Sequence, residues 1–499
     1  MSTTTPALPP MAPTGVTGLD AVLHGGLPCG EMHLIQGVTG TGKTTLALRF
    51  LGEGASRGEP TLYVTLSQSK EHLLRIARSH GWSTEGIEIF ELSPGTVASR
   101  IAARQTILPT ADVELGELFR DLSAVIERVR PKRAIVDSIT IFEILAGSAQ
   151  RYHREVVTLR QLFVEQGCTL IALADHPAEP EQGDGPEVIF HPLSGCVLHL
   201  SQEARPYGDA RRRVRVVKAR GLPHNGGYHD MRIATGLVSV YPRLGAYAQA
   251  ERSDSECVAS GIATLDQLLG GGLRLGTSCL IVGPSAVGKS SIATQFAVSV
   301  ANAGHRAAIF LFDERPETCL VRSERFGIAL REHVDTQRIL LRQLDPGEVA
   351  PGEFAQYVRQ LVDEGGVKAI VIDSVLGYFA AMGAADLLVT QLHELLTYLT
   401  RNAVLLVMCG AQEGFMSIGA QTAVDVSYLS DSVIAMAYYE EEAELRRAVT
   451  VVKNKHRAHL STIHRMVMEG GRLSVEAQSL SHLGNIMVKA GAREAGRST

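Results

Sequence analysis

Two stretches of this chain carry residue types that can hold a polyphosphate. Gly37–Thr44 reads GVTGTGKT and Gly283–Ser290 reads GPSAVGKS, both fitting G-x-x-x-x-G-K-[ST]. In such a loop the small residues let backbone N–H groups close around phosphate oxygens. The lysine neutralises the outer oxygens, and the final hydroxyl helps to hold Mg²⁺. The expected ligands are ATP and Mg²⁺. The backbone cradles are assigned to Gly37, Thr39, Gly40, Thr41, Gly42, Lys43, Thr44 and Thr45 in one loop. In the other they are Gly283, Ser285, Ala286, Val287, Gly288, Lys289, Ser290 and Ser291. Lys43 and Lys289 are also expected to stabilise charge during reaction. Thr44 with Asp137, and Ser290 with Asp373, are the expected magnesium-side oxygens, because both aspartates close continuous apolar runs (AIVD and AIVID).

Cleaving a triphosphate also needs a group that orients or deprotonates the attacking nucleophile. Asp313 and Glu314 follow the apolar run AAIFLF and are assigned that role; the matching places earlier in the chain hold Ser67 and Gln68. Neither of these is a carboxylate base, although a glutamine can orient a water. The first loop is therefore expected to bind ATP with slow or absent turnover. Each loop also has a later K-x-[RK] pair after an alternating apolar run, Lys218/Arg220 and Lys453/Lys455. Side chains two apart on a strand share a face, so each pair can present two cations to one phosphate group.

The elements that must position these residues occur twice. Residues 14–47 align without a gap on 260–293 at a constant offset of 246, with 14 of 34 positions identical, including Asp20/Asp266 and Gly25-Gly26/Gly271-Gly272. Apolar strands alternate with helical stretches after each loop, which predicts two α/β domains, each a mostly parallel, doubly wound sheet flanked by helices. The predicted organisation is a mobile tail over 1–13, a domain over 14–247 and a linker over 248–257. A second domain covers 258–479, followed by a tail over 480–499. With a net charge of −5 and one tryptophan, no broad basic face points to nucleic acid. The seven scattered cysteines lack zinc spacing, and no apolar run is long enough for a membrane span. The chain reads as a cytoplasmic protein with no membrane partner.

The pattern TG-x₃-LD-x₂-L-x-GGL-x₂-G before the loop, the residue pair after the second strand and the K-x-[RK] motif resemble the KaiC family. These are tandem RecA-like P-loop ATPases, and the similarity spans about residues 14–476. The resemblance implies homo-hexameric, two-tiered rings with ATP between neighbouring subunits. It implies a catalytic acid within Asp313-Glu314, and Lys218, Arg220, Lys453 and Lys455 reaching the neighbour's γ-phosphate. It also implies serine/threonine autokinase activity and signalling partners. Three departures are visible. Ser67-Gln68 replaces a glutamate pair; Ser427-Tyr428 stands where the family's best-known member has a Ser-Thr phosphoacceptor pair, leaving Ser427 as the acceptor; and Lys455 replaces an arginine, keeping charge without the bidentate fork. Two other readings fit the P-loops: a RecA-type DNA recombinase or helicase, and a nucleotide-gated scaffold with negligible turnover.

Overall fold

Continuous apolar runs have nowhere to go in water, and here they become the middle of two sheets. The computed structural model describes residues 9–92, 110–146, 148–175, 191–204, 208–246, 256–345, 349–382, 385–411 and 428–480. The chain divides into two compact units, Met1–Ala246 and Tyr247–Thr499.

In the first unit the strands are β1 (Met32–Gly37), β2 (Thr61–Thr65), β3 (Ile87–Glu91), β4 (Arg133–Asp137), β5 (Thr169–Ala174), β6 (Cys196–Glu203), β7 (Arg211–Ala219), β8 (Tyr228–Ala234) and β9 (Leu237–Tyr241). They form one nine-stranded sheet in the order β3-β2-β4-β5-β1-β6-β7-β8-β9. Strands from β3 to β6 are parallel, and β7, β8 and β9 continue as an antiparallel meander. The second unit repeats this with β10 (Ser278–Gly283), β11 (Arg306–Leu311), β12 (Ile339–Gln343), β13 (Val367–Asp373), β14 (Leu405–Ala411), β15 (Ser432–Glu441), β16 (Glu444–Asn454), β17 (His464–Glu469) and β18 (Arg472–Ser479). Their order, β12-β11-β13-β14-β10-β15-β16-β17-β18, is the same topology. Two tandem, mostly parallel, helix-flanked sheets are what the alternation of strand and helix patterns predicts.

Helices cover both faces, which is why every residue of β1, β4 and β5 is buried. Successive side chains on a strand point to opposite faces. Ile35, Tyr63, Ile135, Ile171 and Leu173 therefore pack with Leu46, Ala47, Phe50 and Leu51 of α1 (Lys43–Ser56). Leu34, Leu62, Val136, Leu170 and Ala172 pack on the other face against Leu118 and Leu122 of α2 (Thr110–Val129) and Tyr152, Leu159 and Phe163 of α3 (Ala149–Val164).

The repeated block ahead of each loop has a structural role. Gly26 has φ 124°, and a Cβ there would lie 2.3 Å from the Ala12 carbonyl oxygen; Gly272 has φ 112° with the same clearance to Val258. Only glycine allows the entering strand to pair so closely, as Met11–Ala12 with Leu27–Pro28 and Cys257–Val258 with Leu273–Arg274. Asp20 Oδ1 accepts from Thr14 N and Oγ1 at 2.9 and 2.7 Å; Asp266 Oδ1 does the same for Ser260 at 2.6 and 2.7 Å. Met11–Ala12 thus lie in a ladder, although the Thr/Pro-rich composition assigns them to a mobile tail. Cys257, assigned to the linker, is likewise paired. Composition does not reveal a two-residue pairing that a distant glycine makes possible.

His33 anchors β1. Its Nδ1 accepts from Cys196 N at 3.2 Å, which leaves the proton on Nε2 to donate to the Pro28 carbonyl at 2.9 Å. Burial pushes the imidazole down to about 4, partly opposed by the Pro28 carbonyl. The unfolded chain binds this proton near pH 6.5 and the folded one only near pH 4. The neutral ring's contribution is therefore complete above about pH 6.5 and is lost as pH falls toward 4, about 3 kcal/mol in all. A His33→Gln protein, followed by denaturant unfolding from pH 7 to 4, should show a flatter acid decline than the parent. Parallel curves would disprove this account of His33.

Candidate nucleotide sites

Each loop connects the carboxyl end of a central strand to a helix: β1 to α1, and β10 to α4 (Lys289–Asn302). Gly42 and Gly288 cap these helices with φ 104° and 114°. A Cβ on Gly42 would meet Ile233 Cδ1 at 2.4 Å, and one on Gly288 would meet Met466 Cε at 2.7 Å. The second lysine-side glycine is thus required twice over, by backbone conformation and by packing from the meander. The helix ends so formed present free N–H groups and the positive end of the helix dipole, the usual anion cradle.

The lysines curl back over their own loops. Lys43 Nζ donates to the Gly37 and Val38 carbonyls at 2.7 and 3.1 Å, and Lys289 Nζ to Gly283 and Pro284 at 2.9 and 2.8 Å. Burial lowers the Lys289 ammonium from its usual range, opposed by Cys409 and Asp373. The Thr41 side chain is buried and donates to Val38 O at 2.8 Å, and Val287 is buried at the matching place; these positions offer a ligand only their backbone. Ser291 is buried too, whereas Ser285 and Ala286 are exposed at the loop tip, Ala286 with φ 60° where the first loop has Gly40.

Strand order 4-5-1 brings the aspartates to the same edge as the loops. Asp137 Oδ2 accepts from Thr44 Oγ1 at 3.3 Å and from the phenol of Tyr63 at 2.6 Å. Burial holds the Asp137 carboxyl above the usual range; the Tyr63 hydrogen bond opposes this and the charge of Asp175 adds to it. A buried carboxylate beside a threonine hydroxyl at a phosphate cradle is a hard-oxygen donor set that suits Mg²⁺. Asp373 occupies the matching place in the second unit, beside Cys409, whose thiol burial and Asp373 push well up. The peptide bonds Asp137–Ser138 and Asp373–Ser374 are both cis.

The end of the second strand differs between units. In the C-terminal unit Asp313 Oδ2 accepts from Ser374 Oγ at 2.6 Å, and that serine oxygen accepts from Gly377 N. A Cβ at Gly377 would stand 2.9 Å from both Asp313 oxygens, so the glycine leaves room for the carboxylate. Glu314 pairs with Arg322 at 2.9 Å. Burial raises the Glu314 carboxyl, Arg322 opposes this, and Asp373 adds to it, which places Glu314 within electrostatic range of the magnesium-side aspartate. In the N-terminal unit Gln68 closes a tight turn with Thr65, and its Oε1 is buried with no hydrogen-bond partner among the described residues.

The K-x-[RK] pairs lie at the other edge. Gly37 is level with Leu200 on β6, which pairs with Val214 on β7; Lys218 pairs with Val197, level with Leu34. Arg220 N donates to Gly195 O and Gly195 N to Met32 O, so Arg220 stands level with the first residue of β1. Five strand residues, about 16 Å, separate that level from Gly37. Both side chains fold onto one segment: Lys218 Nζ donates to His191 O and Ser194 O, and Arg220 Nη2 to Pro192 O at 2.8 Å. Burial, and then the Arg220 charge, lower the Lys218 ammonium. The second unit matches. Lys453 pairs with Val433, level with Leu280, and Lys455 N donates to Asp431 O, whose own N–H donates to Ser278 O. Lys455 Nζ is 3.3 Å from Asp431 Oδ1.

Sequence reading missed two residues. Tyr63 lay inside an apolar run, where nothing local links it to Asp137. Asp175 had a visible signal, since LIALAD ends in an acid just as AIVD does. Its Oδ1 is 2.7 Å from Lys43 Nζ. Ser427 lies outside the described residues. No helix among the described residues is long and apolar enough to cross a membrane.

The sequence is similar to known proteins over nearly its whole length. The family model described as KaiC ATPase matches residues 12–245 and again 258–479. The circadian clock oscillator protein KaiC of Thermostichus vulcanus is 26% identical over 469 residues, covering 91% of this chain and 87% of the relative. Its counterpart from Parasynechococcus marenigrum is 27% identical, covering 92% and 88%. That of Synechococcus elongatus is 25% identical over 472 residues, covering 91% and 87%. With one model matched twice, once on each P-loop sheet, this chain belongs to the KaiC ATPase family.

Proposed function

We propose that both units hold ATP and that hydrolysis runs mainly in the C-terminal unit, at sites completed by a second copy of the chain. The supporting observation is the separation inside each unit: loop and strand-closing aspartate share one sheet edge, while the first cation of each pair stands level with the third residue of the loop strand, about 10 Å back, and the second level with its first residue, about 16 Å back. No side chain spans that distance, so Lys453 and Lys455 serve the loop of a neighbour. Such head-to-tail pairing closes into a ring, with six copies by family resemblance.

In this reading Asp313 and Glu314 orient and deprotonate the attacking water. Lys289 and the neighbour's Lys453 and Lys455 spread the charge that develops on the transferring phosphoryl group. Ser374 fixes Asp313, and Arg322 fixes Glu314. Thr44 with Asp137, and Ser290 with Asp373, would hold Mg²⁺, which when bound neutralises phosphate charge. The chain acts through partner proteins that respond to its nucleotide state.

The two lysines test the division of labour. Lys289→Ala should remove most of the steady-state phosphate release of the full chain, and Lys43→Ala should leave most of it. The reverse pattern contradicts the assignment. Negligible release by the parent chain, with ATP bound, means a nucleotide-gated scaffold. Mass spectrometry of the parent after the same incubation reads transfer to Ser427, and an unmodified serine ends the autokinase role.

A further inference from the structure

The N-terminal site lacks an acid after its second strand but has one elsewhere. Asp137 pairs in register with Leu173 on β5, and Asp373 with Cys409 on β14. Two residues further along, on the same side-chain face, stand Asp175 in one unit and Ala411 in the other. The units are therefore reciprocal. The C-terminal unit has Asp313-Glu314 beyond β11 and alanine as the last residue of β14. The N-terminal unit has Ser67-Gln68 beyond β2 and aspartate beyond β5.

The placement of Asp175 is defined on three sides. Its Oδ1 lies 2.7 Å from Lys43 Nζ, the group that meets the outer phosphates in a filled P-loop. Its backbone N–H donates to Thr140 Oγ1 at 3.2 Å, which ties the strand end to the segment following Asp137. Its charge reaches Asp137. The pair is open to water on one side only, Lys43 being 7% and Asp175 43% exposed, so the carboxylate remains within reach of a water molecule.

We propose that Asp175 is the carboxylate that orients and deprotonates the attacking water in the N-terminal unit, giving that unit its own ATP hydrolysis. This rests on reading Gly37–Thr44 as an ATP site. The water's proton passes to an Asp175 oxygen as the new O–P bond forms. The bond from the γ-phosphorus to the bridging oxygen breaks, and ADP leaves with that electron pair. Lys43 meets the charge on the phosphates, and Asp175 returns its proton to solvent. Gln68, whose Oε1 has no hydrogen-bond partner among the described residues, is an amide and cannot take that proton.

The experiment uses the full chain carrying Asp313→Asn and Glu314→Gln, which removes C-terminal chemistry and keeps both loops. This protein should retain measurable ATP turnover. Adding Asp175→Asn should lower the kcat of that remainder by about 10²-fold with KM little changed, and Asp175→Glu should recover part of it. No remaining turnover in the Asp313→Asn, Glu314→Gln chain, or a remainder untouched by Asp175→Asn, overturns the proposal; so does a change confined to KM, which would make Asp175 only an ion-pair partner of Lys43. Binding of a fluorescent ATP analogue to the Lys289→Ala chain is the separate check. Without binding there, the N-terminal ATP site itself is wrong, whatever Asp175 does.

Discussion

Replacing Lys453 and Lys455 together by alanine is expected to reduce C-terminal ATP turnover by about 10³-fold while nucleotide stays bound. The magnitude is that of a trans-acting cation meeting charge that appears only in the transition state. It sits at the low end of the range because an ammonium lacks the forked geometry of a guanidinium. A folding contribution from Lys455 is small. Lys455 is 45% exposed in its pairing with Asp431, and such surface pairs contribute little stability. The checks are single-turnover phosphate release, nucleotide content after gel filtration and thermal unfolding. If turnover falls only as far as bound nucleotide falls, the pair assists binding and not the reaction.

The second large effect belongs to the acids beyond β11. Asp313→Asn with Glu314→Gln should lower C-terminal turnover by about 10²–10⁴-fold, the usual contribution of a general base. The double change is needed because both carboxylates border the site. Asp313 is held by Ser374 at 2.6 Å, and Glu314 is held by Arg322 at 2.9 Å and feels Asp373. The single changes should then rank them. A larger loss from Asp313→Asn would make the serine-held carboxylate the base and leave Glu314 to position its neighbour. Little loss from the double change, measured in the Lys43→Ala chain so that only the C-terminal site reports, would remove both from the chemistry.

How much of this was legible depends on how local each feature is. The loops, the strand-closing aspartates and the duplication are written in short runs, so Gly37–Thr44, Asp137 and their copies could be read directly. The alternation of apolar runs gave the parallel sheets for the same reason. Tyr63 on Asp137, and Asp175 on Lys43, depend on which strands become neighbours, and the order 4-5-1 is not written in any one run. The K-x-[RK] pairs show the same limit. Their spacing predicts a shared target, but the antiparallel direction of β7 and β16 decides that they stand at the far edge from their own loops. The mobile-tail reading of Met11–Ala12 does not hold because the pairing partners, Pro28 and Leu27, made available by Gly25-Gly26, lie beyond an intervening helix and turn.

The central claim is that one copy supplies the loop and acid while the next supplies the cations. It can be tested by mixing two inactive chains: one with Asp313→Asn and Glu314→Gln, the other with Lys453→Ala and Lys455→Ala, both carrying Lys43→Ala. In a ring with head-to-tail contacts, random exchange joins an intact acid to an intact cation pair at about one quarter of the junctions. Phosphate release by the mixture should rise to about that share of the Lys43→Ala parent. Release that stays at the level of the separate proteins, in rings shown by native mass spectrometry to be mixed, would contradict the shared site.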